Sequence, residues 1–156
     1  MKEMKRISAL TLALAMMFLF AACSGTLGER GDVSVVIENR DGSYTVYKAY
    51  LEDVANKKEG VFGVIEHLMS RENNPLTADI VDSSYGAYVN SIGSLIPDAS
   101  KNEYISLYTS LEKDFGTDSY VKTIEYEGVT LKTSGVGFTS MSAEEGTVIL
   151  CRIESY

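Results

Sequence analysis

The chain has 156 residues, with 14 basic and 22 acidic side chains, a net charge of −8, one histidine and two cysteines. An acidic chain without a basic stripe has nothing to neutralise phosphates, which excludes a nucleic-acid partner. With one cysteine set aside at the end of an export signal, neither an internal disulfide nor a cysteine-based zinc site can be built.

Lys2, Lys5 and Arg6 open the chain, and an apolar stretch runs from Ile7 to Phe20. Ala21 and Ala22 then precede Cys23. A charged start, a short apolar middle and small residues before a cut mark an export signal. The apolar stretch is 14 residues long, whereas a membrane-spanning helix needs about 20. The small residues before Cys23 resemble a bacterial lipobox, in which the cysteine thiol takes a diacylglycerol and its amine becomes the new N-terminus. Residues 1–22 are therefore expected to be a lipoprotein signal peptide. The mature protein is expected on the extracytoplasmic face of the cell membrane, held by acylated Cys23. The signal carries +2 (Lys2, Lys5 and Arg6 against Glu3), which puts the mature part at −10.

Residues 23–32 are rich in Gly and polar groups and read as a flexible tether. One domain over residues 33–156 follows. Val33 to Glu38 is β-branched and apolar, a strand. Asn39-Arg40-Asp41-Gly42 is a turn, and Ser43 to Leu51 alternates as a second strand, closing a hairpin. From Val61 the period changes. Val61, Val64, Ile65, Leu68 and Met69 recur at spacings of three and four, which predicts an amphipathic helix to about Arg71, stopped by Asn73-Asn74-Pro75. Thr77–Ser84 and Tyr85–Gly93 read as strands, and Pro97–Lys101 as a loop. Glu103–Leu111 fits either a helix or a strand. Lys113–Ser119 is a loop, Tyr120–Tyr126 and Val129–Thr133 are strands, and Glu144-Glu145-Gly146 is a turn. Thr147–Ile153 is the last strand, dense in β-branched residues and expected at the centre of the sheet. This order predicts an α+β fold, a β-grasp-like mixed sheet with one main helix packed on it.

No pattern specifies catalysis. His67 lies off the apolar stripe and reads as an exposed helix residue. No nucleophile elbow, P-loop or dinucleotide fingerprint occurs. Asp114, Gly116 and Asp118 lack the further ligands of a calcium loop and read as a solvated loop. Cys151 follows Val148-Ile149-Leu150 and reads as a packed small hydrophobe. The expectation is therefore a non-enzyme with no metal and no cofactor. What remains is an aromatic set, Tyr85, Tyr88, Tyr104, Tyr108 and Phe138, suited either to packing on sheet faces or to a ligand wall or protein contact surface.

Five segments in order resemble the transcobalamin-like C-terminal domain family, found in surface lipoproteins of Gram-positive anaerobes. Tyr85-Gly86-Ala87-Tyr88-Val89-Asn90-Ser91-Ile92 is similar to its G-[AFP]-[YF]-[IV]-x-S-I segment. Gly60 to Leu68 resembles its G-T-V-F-D-x-L helix start. Glu103 to Tyr108 resembles its Y-W-x-x-Y strand, with Ile105 where the family usually has Trp. Ser134 to Phe138 resembles its G-x-x-x-Y/A loop, and Glu145 to Ile149 its closing D-G-D-x-I turn and strand. The likeness spans roughly residues 33–154. It implies a β-grasp-like core without catalysis. In the namesake vitamin B12 carriers this domain closes over the corrinoid opposite a helical domain. Carried over, it implies a binding surface formed by Tyr85, Tyr88, Ser91, Tyr104, Tyr108 and Phe138. The ligand would be a small nutrient such as cobalamin, and delivery to a membrane transporter would be the role. A protein–protein interaction module is the alternative expectation.

Overall fold

The computed structural model describes residues 31–83 and 86–156; the segments expected to be the export signal and most of the tether, with Cys23, lie outside these residues, as does Tyr85. β1 (Val33–Glu38) and β2 (Tyr44–Ala49) form the expected hairpin. Its turn is closed by Asn39 N–H donating to the Ser43 carbonyl at 2.8 Å, with Gly42 at φ +82°. β1 runs parallel to the last strand, β8 (Val148–Ser155), with Val35 opposite Ile149. Val35, Val36, Ile37, Ile149, Leu150 and Cys151 are all buried. Strands covered on both faces read as near-continuous apolar runs rather than alternations, and that is how both appear in the sequence.

Six strands make one mixed sheet in the order β2-β1-β8-β5-β7-β6, with β5 spanning Glu103–Thr109, β6 Thr123–Tyr126 and β7 Val129–Thr133. β3 (Ala78–Ser83) and β4 (Gly86–Ile92) pair only with each other, in a separate two-stranded sheet that the expectation of a single sheet missed. The ambiguous segment at Glu103 is a strand. It pairs with β8 over seven positions, from Glu103–Ser155 to Thr109–Ile149, and that ladder decides against the helix its Tyr104–Tyr108 spacing also allows.

The helix, α1 (Gly60–Met69), buries Val61, Val64, Ile65 and Leu68. Met69, counted in the apolar stripe, is instead exposed, at the last residue of the helix. Gly60 starts the helix at φ +56°, and a Cβ there would lie 2.1 Å from the Met141 carbonyl oxygen. Only glycine fits that approach. Val61 N–H donates to the same carbonyl at 3.0 Å.

The two faces of the large sheet carry different cores. α1, the small sheet and the 138–141 loop cover one face, where Val33, Val35, Ile37, Ile149 and Cys151 meet Ile65, Leu68, Phe138 and Met141. On the other face Val36, Leu150, Tyr108, Tyr126 and Leu131 form a second cluster. A short ladder, Tyr108–Thr133 and Thr109–Lys132, joins β5 to β7, and the β6–β7 hairpin packs over this second face. The curl brings the outermost strands together: Tyr44 of β2 and Tyr126 of β6 meet edge to face, ring centroids 5.0 Å apart. The result is a mixed α+β fold with a curled six-stranded sheet and one main helix.

Candidate functional site

On the second face of the sheet, alternation along β5 points Tyr104, Ser106 and Tyr108 the same way. β8 lies antiparallel beside it, with Glu154 opposite Tyr104 and Arg152 opposite Ser106. The apolar cluster fills this face around Tyr108 and Leu150. Beyond it the face becomes polar, and Glu154 is the hub. Tyr108 Oη donates to Glu154 Oε1 at 2.6 Å and Tyr104 Oη donates to Oε2 at 3.2 Å. Lys122 Nζ donates to Oε2 at 2.7 Å. Arg152 adds a longer contact, Nε to Oε1 at 3.8 Å, and reaches Glu38 Oε1 at 3.4 Å with its terminal nitrogen.

Burial alone would raise the Glu154 pKa, but the hydrogen bonds from Lys122 and Tyr108 outweigh it and hold the carboxyl below its ordinary value. The same carboxylate acts on its donors. Burial and the Glu154 charge push both Tyr104 and Tyr108 upward, and the hydrogen bond to Glu154 raises Lys122. Both phenols therefore stay protonated as donors.

A cleft of about 470 Å³ opens beside this hub, between β5–β8 and the loops at 116–122 and 133–135. Its walls are Tyr104, Ser106, Tyr120, Val121, Lys122, Thr133, Glu154 and Tyr156, with Gly116 and Gly135 packed closely below. Tyr156, just past β8, stacks on Tyr104 with centroids 4.9 Å apart and rings 24° from parallel. A second recess of about 360 Å³ shares Glu154 and is lined by Glu38, Arg40, Glu103 and Arg152. There Arg40 grips Glu103 with two bonds, at 3.0 and 2.6 Å, and holds its carboxyl down at about 2.

The residues expected to form one surface are dispersed. Tyr104 lines the cleft. Tyr108 is fully buried and contributes only its hydroxyl, to Glu154. Phe138 is fully buried on the helix side of the sheet, so it serves the core and not a ligand wall. Tyr88 and Ser91 belong to β4 in the small sheet; Tyr88 is 57% exposed beside Val81, and Ser91 pairs with Asp79. The expectation of a solvated loop at Asp114 also needs correcting. That side chain is buried and accepts a 2.7 Å bond from Ser142 N–H, which ties the loop to the 138–142 segment. Among the described residues no group of three or more His, Cys, Asp or Glu could hold a metal. Cys151 is packed as expected, and burial pushes its thiol up to about 12.

The fold is shared with solved structures. A proposed metal-binding protein from Ruminococcus gnavus ATCC 29149 matches with a TM-score of 0.53 at 12% identity, over 81% of this chain and 99% of that one. Haptocorrin, solved in complex with Cbi, matches with a TM-score of 0.52 at 15% identity over 85% of this chain. The match spans 27% of haptocorrin's own length. No protein-family model and no curated protein matches the sequence. At these identities the likeness is one of fold.

Glu154, Lys122, Tyr120 and Tyr156 were not singled out from the sequence. A signal for the first was present. If Ile149, Cys151 and Ile153 face the helix, then Arg152 and Glu154 must face the other side, beside Tyr104. Ending the last strand at Ile153 hid it, since β8 continues to Ser155.

Proposed function

We propose that the chain is a cell-surface lipoprotein, anchored through acylated Cys23, that binds a small nutrient without catalysing a reaction on it. The binding site is the cleft at Tyr104, and the observation that carries the reading is its composition. A space of about 470 Å³ lies within the range of roughly 300–1,000 Å³ typical of small-molecule sites. Its walls combine aromatic rings with a few polar groups whose positions are fixed by the Glu154 hub. Membership of the transcobalamin-like C-terminal domain family, and a β-grasp description of the fold, belong to the same proposal. Support comes from β8, which lies between the first hairpin and β5 and runs parallel to β1, and from the fold shared with haptocorrin. A corrinoid is accordingly the first ligand to try, with delivery to a membrane transporter as the role. Calorimetry with cobalamins and a vitamin panel is the test. Micromolar or tighter binding that Tyr104→Ala weakens at least tenfold supports the reading; flat traces across the panel remove it. For the anchor, Cys23→Ala should move the protein from the membrane fraction to the medium.

One observation favours a second reading, a protein-interaction module. Val81, 47% exposed, and Tyr88, 57% exposed, face each other across the small sheet. Paired exposed apolar side chains on a two-stranded sheet suit a protein contact. Tyr88→Ser should then abolish recovery of a partner and leave calorimetry at the cleft unchanged.

A further inference from the structure

Within the cleft, the Tyr104–Tyr156 stack is an unequal partnership. Tyr104 is fixed: its backbone lies in the β5–β8 ladder and its hydroxyl donates to Glu154. Tyr156 is 94% exposed. It is held by the ring stack and by a long main-chain bond, its N–H to the Asn102 carbonyl at 3.4 Å. A ring that keeps most of its contact with water gains little hydrophobic stabilisation from its position. A larger flat ring on Tyr104 would overlap the phenol more fully and would also cover the apolar wall at Val121.

The charges nearby select among such rings. Asp118 and Glu154 both line the cleft. Lys122, the cation there, is committed to Glu154. The mature part on this reading carries −10, so its field draws cations inward and repels anions. A tyrosine face is itself electron-rich and attracts positive charge. We propose that the cleft takes a flat, cationic aromatic ring by exchange, the ligand's ring replacing Tyr156 on the face of Tyr104. This inference rests on the reading of the cleft as a small-molecule site, and it names the ligand class.

Three fused two-ring probes of similar size separate the possibilities at low salt and pH 8: N-methylquinolinium as the cation, quinoline as the neutral ring and naphthalene-2-sulfonate as the anion. N-methylquinolinium is expected to bind most tightly and naphthalene-2-sulfonate most weakly, with the cation's advantage shrinking as salt screens the field. Tyr156→Ala should tighten cation binding about three- to tenfold, because a competitor for the same face is gone. Tyr104→Leu should abolish it. Unchanged or weaker binding by the Tyr156→Ala protein would overturn the exchange, showing Tyr156 to be a fixed part of the wall. Equal affinities for the three probes would overturn the charge selection. If no probe binds while a vitamin binds at Tyr104, this inference fails and the binding-site reading stands. If neither probes nor vitamins bind, both fail.

Discussion

The two faces of the curled sheet are built from neighbouring residues of the same strands and have opposite uses. On the helix side, Ile149, Cys151 and Ile105 turn into a core closed by α1, Phe138 and the small sheet. On the other side, Leu150 and Tyr108 begin a second core, but the β6–β7 hairpin covers only that end. The rest of the face is left to Tyr104, Arg152 and Glu154. Tyr104 and Tyr108 make the contrast sharpest. They share a strand, a face and a hydrogen-bonding partner, yet one is sealed in the core and the other lines a cleft. Residue type does not decide between packing and binding; the reach of the covering hairpin does.

Truncating the closed side should give the largest effect. Phe138 is fully buried, so Phe138→Ala should cost about 3–5 kcal/mol, read as a lower urea midpoint with an unchanged slope. Tyr104→Ala, on the open side, gives up one hydrogen bond and partial burial. It should cost about 1 kcal/mol while removing ligand binding. Similar losses from the two substitutions would break the distinction between the faces.

The next effect belongs to the carboxylates of the open side. Glu154→Ala leaves Tyr104, Tyr108 and Lys122 without their shared acceptor. A loss of about 1–3 kcal/mol is expected from the orphaned partly buried donors. Acid should act in the same direction. Glu154 and Glu103 both have folded pKa values below their ordinary 4.5. Each therefore contributes stability that is full above about pH 4.5 and declines as pH falls through the folded value. For Glu103 that value is about 2, so the decline extends over the whole interval from 4.5 to 2. Urea titrations at pH 7, 4 and 2.5 should show Glu103→Gln differing most from wild type at pH 7, with the gap narrowing steadily toward the lowest pH. A gap that stays constant would contradict the Arg40–Glu103 bond as its source.

Cys151 tests how dry the closed side is. Its thiol is fully buried and raised to about 12, so a thiol reagent at pH 8 should react only after denaturant is added. Cys151→Ser places a hydroxyl in the same apolar site and should cost about 1–3 kcal/mol. With Cys23 replaced by Ala, so that Cys151 is the one thiol present, prompt labelling of the native protein would show that this core admits solvent.

Much of the closed side could be read from the sequence because its signals are local. The β1–β2 turn, the α1 stripe from Val61 to Leu68 and the apolar run at β8 each state their own period or turn chemistry. The open side depends on pairings between distant residues. Glu154 matters because the ladder sets it opposite Tyr104, fifty positions earlier, and Lys122 reaches it from a loop whose place is set by β7. Tyrosine content flagged Tyr104 but could not distinguish it from Tyr108, since both sit in the same alternating pattern. Phe138 was equally indistinct: its loop looks like surface until Met141 and α1 are seen to bracket it.

The smallest expected effect bears on what limits the open side. The Tyr44–Tyr126 contact joins the outermost strands of the sheet and so sets how far the hairpin curls over Tyr108. Tyr44 is 48% exposed, which keeps the single substitution mild. A double-mutant cycle of Tyr44→Ala with Tyr126→Ala should give a coupling of about 0.5–1.5 kcal/mol, the usual worth of an edge-to-face pair. If the curl defines the boundary between core and cleft, Tyr44→Ala should also raise amide exchange in β6 and β7 while leaving α1 protected. Coupling near zero, with exchange unchanged, would mean that the hairpin is placed by Leu131 and Tyr126 packing on Leu150 alone. The boundary between the two uses of the face would then lie in the second core and not at the sheet's edges.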